Sequence, residues 1–284
     1  MNPTITAVRA GFWRGMIEFR QTWTNVQDLW GNLFWPVAIL IVMVFLRGVP
    51  VPGTEFSLSA MTIPGVIGMQ IAFGGLSSLA AILLMDREDG TLLRAKAIPK
   101  GMLGYLIGKV VTFSGVSLVG VAIILFPGAL LFGGLQLTDP GVWFTFAWVL
   151  LIGLVATMPI GAVLGSLFSS TNSLALIFVP LMALVAISGI FYPITALPVW
   201  LQWIAQIFPV YWLGLGMRSA LLPDSLASVE IGGSWRHLET LGVLGAWAAI
   251  GLILAPIVLR RMARRESGSS VAERREKVLQ QRWA

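Results

Sequence analysis

The chain has 284 residues, a net charge of +6 and a mean hydropathy of +0.85, with 57% of its residues hydrophobic and only 11% charged. A soluble domain carries about a quarter charged residues, so this chain cannot cover its surface in water, and its length leaves no room for a large soluble domain beside a membrane domain. The absence of cysteine and the single histidine, His237, exclude disulfides, thiolate metal sites and multi-histidine haem or metal centres.

The first 28 residues read as an amphipathic helix. Val8, Phe12, Met16, Phe19, Trp23, Val26 and Trp30 follow steps of three and four and share one face, with Arg9, Arg14, Glu18, Gln21, Asn25 and Asp28 mostly elsewhere. Such a helix lies in the headgroup plane as an anchor, or passes movement from a partner into the first span. No short apolar core with a small-residue cleavage site follows, so a cleaved signal peptide is not expected.

A spanning helix needs roughly 17–25 mostly apolar residues, and residues 29–259 offer six. The expected spans are Leu29–Leu46, Ile63–Met85, Leu103–Phe132 with a kink at Pro127, Val142–Phe168, Leu174–Phe191 and Leu241–Leu259. In the second, Gln70, Gly74, Ser77, Ser78 and Ala81 form a mildly polar side, read either as helix packing or as a translocation surface for amphipathic cargo. In the fourth, Gly153, Thr157, Gly161 and Gly165 step by four, a spacing for close helix approach. Lys109 lies near a span end, where it can snorkel, and Asp139 precedes Pro140 in a short loop. The spans contain no obvious unpaired charge of the kind ion-driven transporters keep.

Two connecting segments stand out. Asp86–Lys100 is a dense cluster of mixed charge in which Gly90 and Pro99 bracket a short helix, a pattern suited to docking another protein. The apolar stretch Ile194–Leu222 is broken by Pro198 and Pro209 and carries Arg218. Pro198 is placed to start a helix, and Trp200, Trp203, Tyr211 and Trp212 read as interface residues. The expectation is two short helices re-entering the membrane, able to cap or gate a path. Beyond Leu259 the tail is basic, with Ser267–Ser270 as a flexible link and Val271–Trp283 as a short amphipathic helix held near anionic lipid.

Six crossings place both termini on one side with the second-to-third and fourth-to-fifth loops. That side collects 16 of the 19 basic residues, leaving Arg47, Arg218 and Arg236 opposite. Both termini are therefore expected in the cytoplasm. The asymmetry accounts for the positive charge without a nucleic-acid partner.

The order of these features resembles the permease subunit of type-2 ABC exporters over nearly the whole chain. The resemblance rests on the surface helix, the six spans, the Glu88-Asp89-Gly90-Thr91-Leu92 loop followed by Pro99 and Gly108-Lys109, and the outer Pro193–Leu201 segment leading to Arg218. It looks closest to drug- and antibiotic-export permeases of the daunorubicin-resistance kind, from which it departs at Leu93-Arg94, where members often carry Glu.

The resemblance implies an all-α polytopic protein of the bacterial plasma (inner) membrane. Two permease copies would pair above two ATPase subunits, which would hold ATP and Mg, and hydrophobic drugs or antibiotics would be exported by alternating access. It implies ATPase coupling through Arg87, Glu88, Asp89, Gly90, Thr91, Leu92 and Pro99 and through the N-terminal helix, and an outer gate at Pro193, Pro198, Trp200 and Pro209. No G-x-x-x-x-G-K-[ST] loop is present. Gly104–Lys109 is one residue short between its glycines, lacks the Ser/Thr and enters a span, so no cofactor is expected on this chain. The alternatives are a permease for lipid-linked glycan or other lipidic cargo, and an ion-coupled secondary transporter. A membrane enzyme is disfavoured by the shortage of acid–base pairs.

Overall fold

A computed structural model of the chain describes residues 2–50, 57–168 and 171–265. The described residues are helical apart from turns and one isolated bridge between Pro50 and Ser57. The expected tail helix and its flexible link lie outside the described residues.

Helix α1 (Pro3–Thr24) starts on an Asn2 cap and stops at Asn25, whose extended backbone breaks the helix and whose side chain accepts from Gln27 N to cap α2 (Val26–Phe45). The amphipathic stripe is therefore not one continuous face: Val26 and Trp30 belong to the next helix. The face of α1 that packs inward is also different from the aromatic one. Its fully buried residues are Gly11 and Gly15, while Val8, Phe12 and Met16 are exposed and Phe19 is half-buried against Gly115 of α6 (Gly101–Phe132).

Among the described residues five helices are long and apolar enough to cross a membrane: Val26–Phe45, Leu58–Glu88, Gly101–Phe132, Pro140–Leu167 and His237–Met262. The second is built from α3 (Leu58–Phe73), one π turn (Gly74–Ser78) and α4 (Leu79–Glu88) without interruption. After α5 (Thr91–Lys96) come α6 and α7 (Pro140–Leu167), the latter capped by Asp139 accepting from Gly141 N. The last is α11 (His237–Arg265), packed along α7.

The expected span Leu174–Phe191 is shorter than foreseen. Its helix, α8 (Ala175–Ile187), has 13 residues, so it is about 20 Å long against a hydrocarbon core of about 30 Å. It ends where Gly189 takes a positive φ of 65°, and the Gly189 carbonyl, left without a helical donor because Pro193 has no N–H, accepts from Arg218 Nη1 at 3.1 Å. Helices α9 (Val199–Ile207) and α10 (Pro209–Leu221) follow, with Pro209 as the first residue of α10. Helix α10 is buried almost throughout, against α3, α7 and α11.

In lipid the hydrophobic effect does not drive helices together, so close packing must. Glycine supplies it here. A Cβ on Gly15 would stand 2.5 Å from the Gly108 carbonyl oxygen, and Gly11 meets Gly104 in the same way. The near-miss nucleotide loop is thus a packing face. Thr112 reinforces it by donating to the carbonyls of Gly15 and Gly108, both at 3.0 Å. Gly161 and Gly165 of α7 lie against the carbonyls of Gly75 and Ala80, and Gly68 of α3 against the backbone of Leu213 and Gly214 in α10.

These contacts are backbone on backbone and cannot be relieved by a rotamer change. Gly15→Leu is expected to cost about 1–3 kcal/mol or more and to lower the thermal unfolding midpoint of the purified protein. Gly31→Ala, with nothing within 4 Å, should be neutral or raise the midpoint, since alanine is the better helix former by about 1 kcal/mol.

Candidate functional site

The end of the molecule that carries the α4–α6 connection holds a polar seam. Lys109 on α6 donates to Asp86 Oδ2 of α4 at 2.8 Å and to Glu18 Oε2 of α1 at 3.1 Å. Glu18 also accepts from Arg14 Nε at 2.8 Å, and Tyr105 donates its hydroxyl to Asp86 at 2.8 Å. The Arg14 guanidinium and the Lys109 ammonium both lie over the Tyr105 ring, at 5.8 and 5.5 Å. Lys109 does not snorkel: its side chain is 11% exposed and lies between two carboxylates on two other helices. Burial pushes the Glu18 carboxyl up, but hydrogen bonds and charge from Arg14 and Lys109 outweigh it and hold the group below its usual 4.5. The seam ties α1, α4 and α6 into one unit.

The charged loop hangs directly from this seam. Arg87 donates Nη1 to the Phe168 carbonyl at 2.6 Å, fastening the end of α4 to the chain just beyond α7. Glu88 is the last residue of α4, and Asp89 accepts from Thr91 N at 2.7 Å. Gly90 is buried at φ 79°, a left-handed turn that a side chain resists, and it reverses the chain into α5. Thr91 accepts from Arg94 Nη2 at 3.0 Å, Leu92 is buried, and Pro99 stands exposed before the left-handed Lys100 that opens α6.

Midway along the second long helix, Gln70, Gly74 and Ser78 are half-buried, and Ser77 is fully buried with its hydroxyl donating to the Phe73 carbonyl. Gly74, Ser77 and Ser78 all belong to the π turn, which inserts one extra residue into the helix. Gln70 faces Gly120 of α6, and Gly75 receives Thr157 and Gly161 of α7.

At the opposite end, Pro193 leads the short turn Ile194–Ala196, Pro198 caps α9, and Trp200 and Trp203 project outward from α9. Tyr211 and Trp212, expected at an interface, are instead inside the bundle. Trp212 donates to the Gln206 carbonyl at 2.7 Å and lies 4.8 Å beneath the Arg236 guanidinium, which in turn donates to Gln206 Oε1.

The lone arginine of this segment has a buried partner that sequence reasoning missed. Arg218 Nε donates to Glu230 Oε1 at 2.6 Å, with both side chains at most 1% exposed. Arg218 thus joins α10 to the end of α8 through Gly189 and to the turn Asp224–Val229 through Glu230. The available signal was the desolvation rule itself: an arginine among apolar residues requires a carboxylate, and Asp224, Glu230 and Glu239 were the nearest choices. Glu18, Asp86 and Lys109 were missed as a unit because they come from three separate helices.

Removing one member of a buried pair leaves an uncompensated charge, at a cost of about 3–5 kcal/mol, whereas replacing both with apolar groups is often neutral. Glu230→Leu alone should therefore lower the unfolding midpoint sharply, and Arg218→Met with Glu230→Leu should recover most of the loss. Glu18 titrates in the opposite sense to a buried neutral acid. Its lowered folded value stabilises the protein above the ordinary carboxylate value, and that contribution is lost as the pH falls from about 5 through the folded value. Unfolding midpoints measured against pH should fall less steeply for Glu18→Gln than for the native chain over that range.

A family model described as "ABC-2 family transporter protein" matches residues 47–257, about three quarters of the chain. The matched region takes in the loop, the π turn and the Arg218–Glu230 pair. No curated protein matches the chain. With its spanning-length apolar helices, the chain therefore belongs to the ABC-2 transporter family as a multi-pass transmembrane component.

Proposed function

We propose that this chain is the permease of an ATP-driven exporter that moves hydrophobic or amphipathic compounds, drugs or antibiotics among them, out of a bacterial cell across the plasma membrane. Separate ATPase subunits, two per complex and carrying ATP and Mg, dock at the charged end, and a second permease copy completes the path. Both termini face the cytoplasm. The short α8 makes the remaining crossing of six, and α9 and α10 re-enter the outer leaflet without crossing.

The observation that carries the reading is the polar seam. Glu18, Lys109 and Asp86 link the N-terminal helix to the foot of α4, one residue before Arg87 and four before the left-handed turn at Gly90. A force applied to the Arg87–Pro99 loop passes through these pairs into α1 and α6 and along α4 to the π turn. Gln70, Gly74, Ser77 and Ser78 are the surface on which that movement would act on cargo. Pro193, Pro198, Trp200 and Pro209 would gate the outer end. The charges near the spans support an external energy source. Lys109, Asp86 and Arg218 are each engaged at short range by a group of opposite charge.

Copurification with an ATPase, and cargo-stimulated ATP hydrolysis by the complex in nanodiscs, test the reading. Gly90→Val adds about 1–3 kcal/mol of backbone strain at the loop and should abolish the cargo stimulation. Gly232→Val, at φ 74° in open space at the other end, should leave it intact. Transport that persists without ATP and follows an ion gradient would overturn the proposal.

A further inference from the structure

Beside the polar seam the helices part. A half-open cleft of about 190 Å³ lies between α4, α6, α7 and α11, walled by Leu83, Leu106, Val110, Pro159, Leu252 and Pro256. Its lining is almost entirely carbon, and its rim is open to the outside of the bundle, where Val110 is 48% and Leu252 56% exposed. It extends about 10 Å along α11, from Leu252 to Leu259. One end is closed where Gly251 brings α11 against Pro159. The other end runs out at the basic terminus of α11.

That terminus continues the cleft as a charged row. Leu252 and Pro256 line the cleft rim, and the next positions on this four-residue row, which turns by about 40° per step away from the cleft toward the outside of the bundle, are Arg260 and Arg264. Both are exposed, and neither makes an ion pair among the described residues. Lys109 also borders the cleft, but its charge is committed to Glu18 and Asp86. An occupant must therefore combine an apolar body, narrow enough for a gap between helices, with an anionic head one to two helical turns beyond it.

We propose that this cleft binds one acyl chain of an anionic phospholipid, whose phosphate is held by Arg260 and Arg264. The assignment takes its leaflet, the cytoplasmic one, from the orientation proposed above. Basic positions at helix ends on that side attract anionic headgroups, and an apolar gap beside them fixes the chain. A second copy of this protein fits poorly, because it would bring one basic helix end against another. The lipid would sit at the junction of α6 with α4 and α11, next to the seam, and membrane charge would thereby bear on the part of the fold that the loop moves.

The test uses the full chain in phosphatidylcholine nanodiscs doped with phosphatidylglycerol bearing a diazirine on its acyl chain, with diazirine-labelled phosphatidylcholine as the comparison. Cross-links are mapped by peptide mass spectrometry. Phosphatidylglycerol should label Leu106–Val110 and Leu252–Leu259 more strongly than phosphatidylcholine does. Arg260→Gln with Arg264→Gln should cut that labelling about fivefold per arginine and leave the phosphatidylcholine label unchanged. Val110→Trp, which fills the opening, should remove cleft labelling by both lipids while labelling of the exposed face of α2 at Phe34–Ile41 stays constant. Equal labelling by the two lipids, or labelling indifferent to the arginines, would mean ordinary boundary lipid and overturn the proposal. Cleft labelling that survives Val110→Trp would place the chain elsewhere, and displacement by an exported compound would give the cleft to the cargo. Labelling of α2 reports membrane embedding separately, and none of these readouts depends on ATP hydrolysis, so the proposal can fail without touching the exporter reading.

Discussion

Close backbone contact through glycine is the constraint on which the rest of this structure depends. Lipid tails are as apolar as the side chains that face them, so association rests on dispersion at short range and on internal polar pairing. Gly11 and Gly15 on Gly104 and Gly108 bind α1 to α6. Gly161 and Gly165 bind α7 to the π turn and α4, and Gly65 and Gly68 receive the backbone around Ile190 and Leu213. The polar sites can be specific because these contacts leave the helices little freedom to slide. Lys109 reaches two carboxylates on two helices only when α1 and α4 are held at fixed heights against α6.

Much of the architecture was legible in the sequence. Long apolar runs read as six spans, of which five are helices of spanning length among the described residues, and Gly90 and Pro99 marked the short helix α5. The four-residue spacing of Gly153, Thr157, Gly161 and Gly165 read directly as a packing face. These signals are local: each depends on a window of one or two turns.

What was not legible depends on partners distant in the chain. Aromatic periodicity in α1 hid the smaller signal of Gly11 and Gly15, because hydrophobic spacing weighs large side chains and ignores the absence of one. The Gly189 carbonyl, just beyond the end of α8, finds its donor in Arg218, some thirty residues on. Tyr211 and Trp212 are aromatic residues of the kind that mark membrane interfaces, yet α10 is enclosed by α3, α7 and α11, which overrides that preference. The π turn has no strong sequence marker either. It falls on Gly74–Ser78, where small residues let α7 approach and where one extra residue can be absorbed without a side-chain clash.

The two polar sites differ in what they join. Arg218–Glu230 is sealed inside one packed unit, with α10 held by α3, α7 and α11, so it fixes a geometry and has nowhere to move. The seam of Glu18, Lys109 and Asp86 lies instead along a boundary. Toward the far end α6 is packed closely on α3, with Gly120 against Gln70 and Gly128 against Ile63. Toward the basic end the same boundary opens into the cleft beside Leu83 and Leu106, and charged hydrogen bonds cross it in place of packed carbon. Hydrogen bonds to charged groups tolerate a change of partner better than interlocked backbones tolerate displacement, since a lysine has three donors and a flexible stem. The boundary between α6 and the α3–α4 helix is thus closed by interlocked carbon at one end and by charged hydrogen bonds at the other, where the charged loop begins.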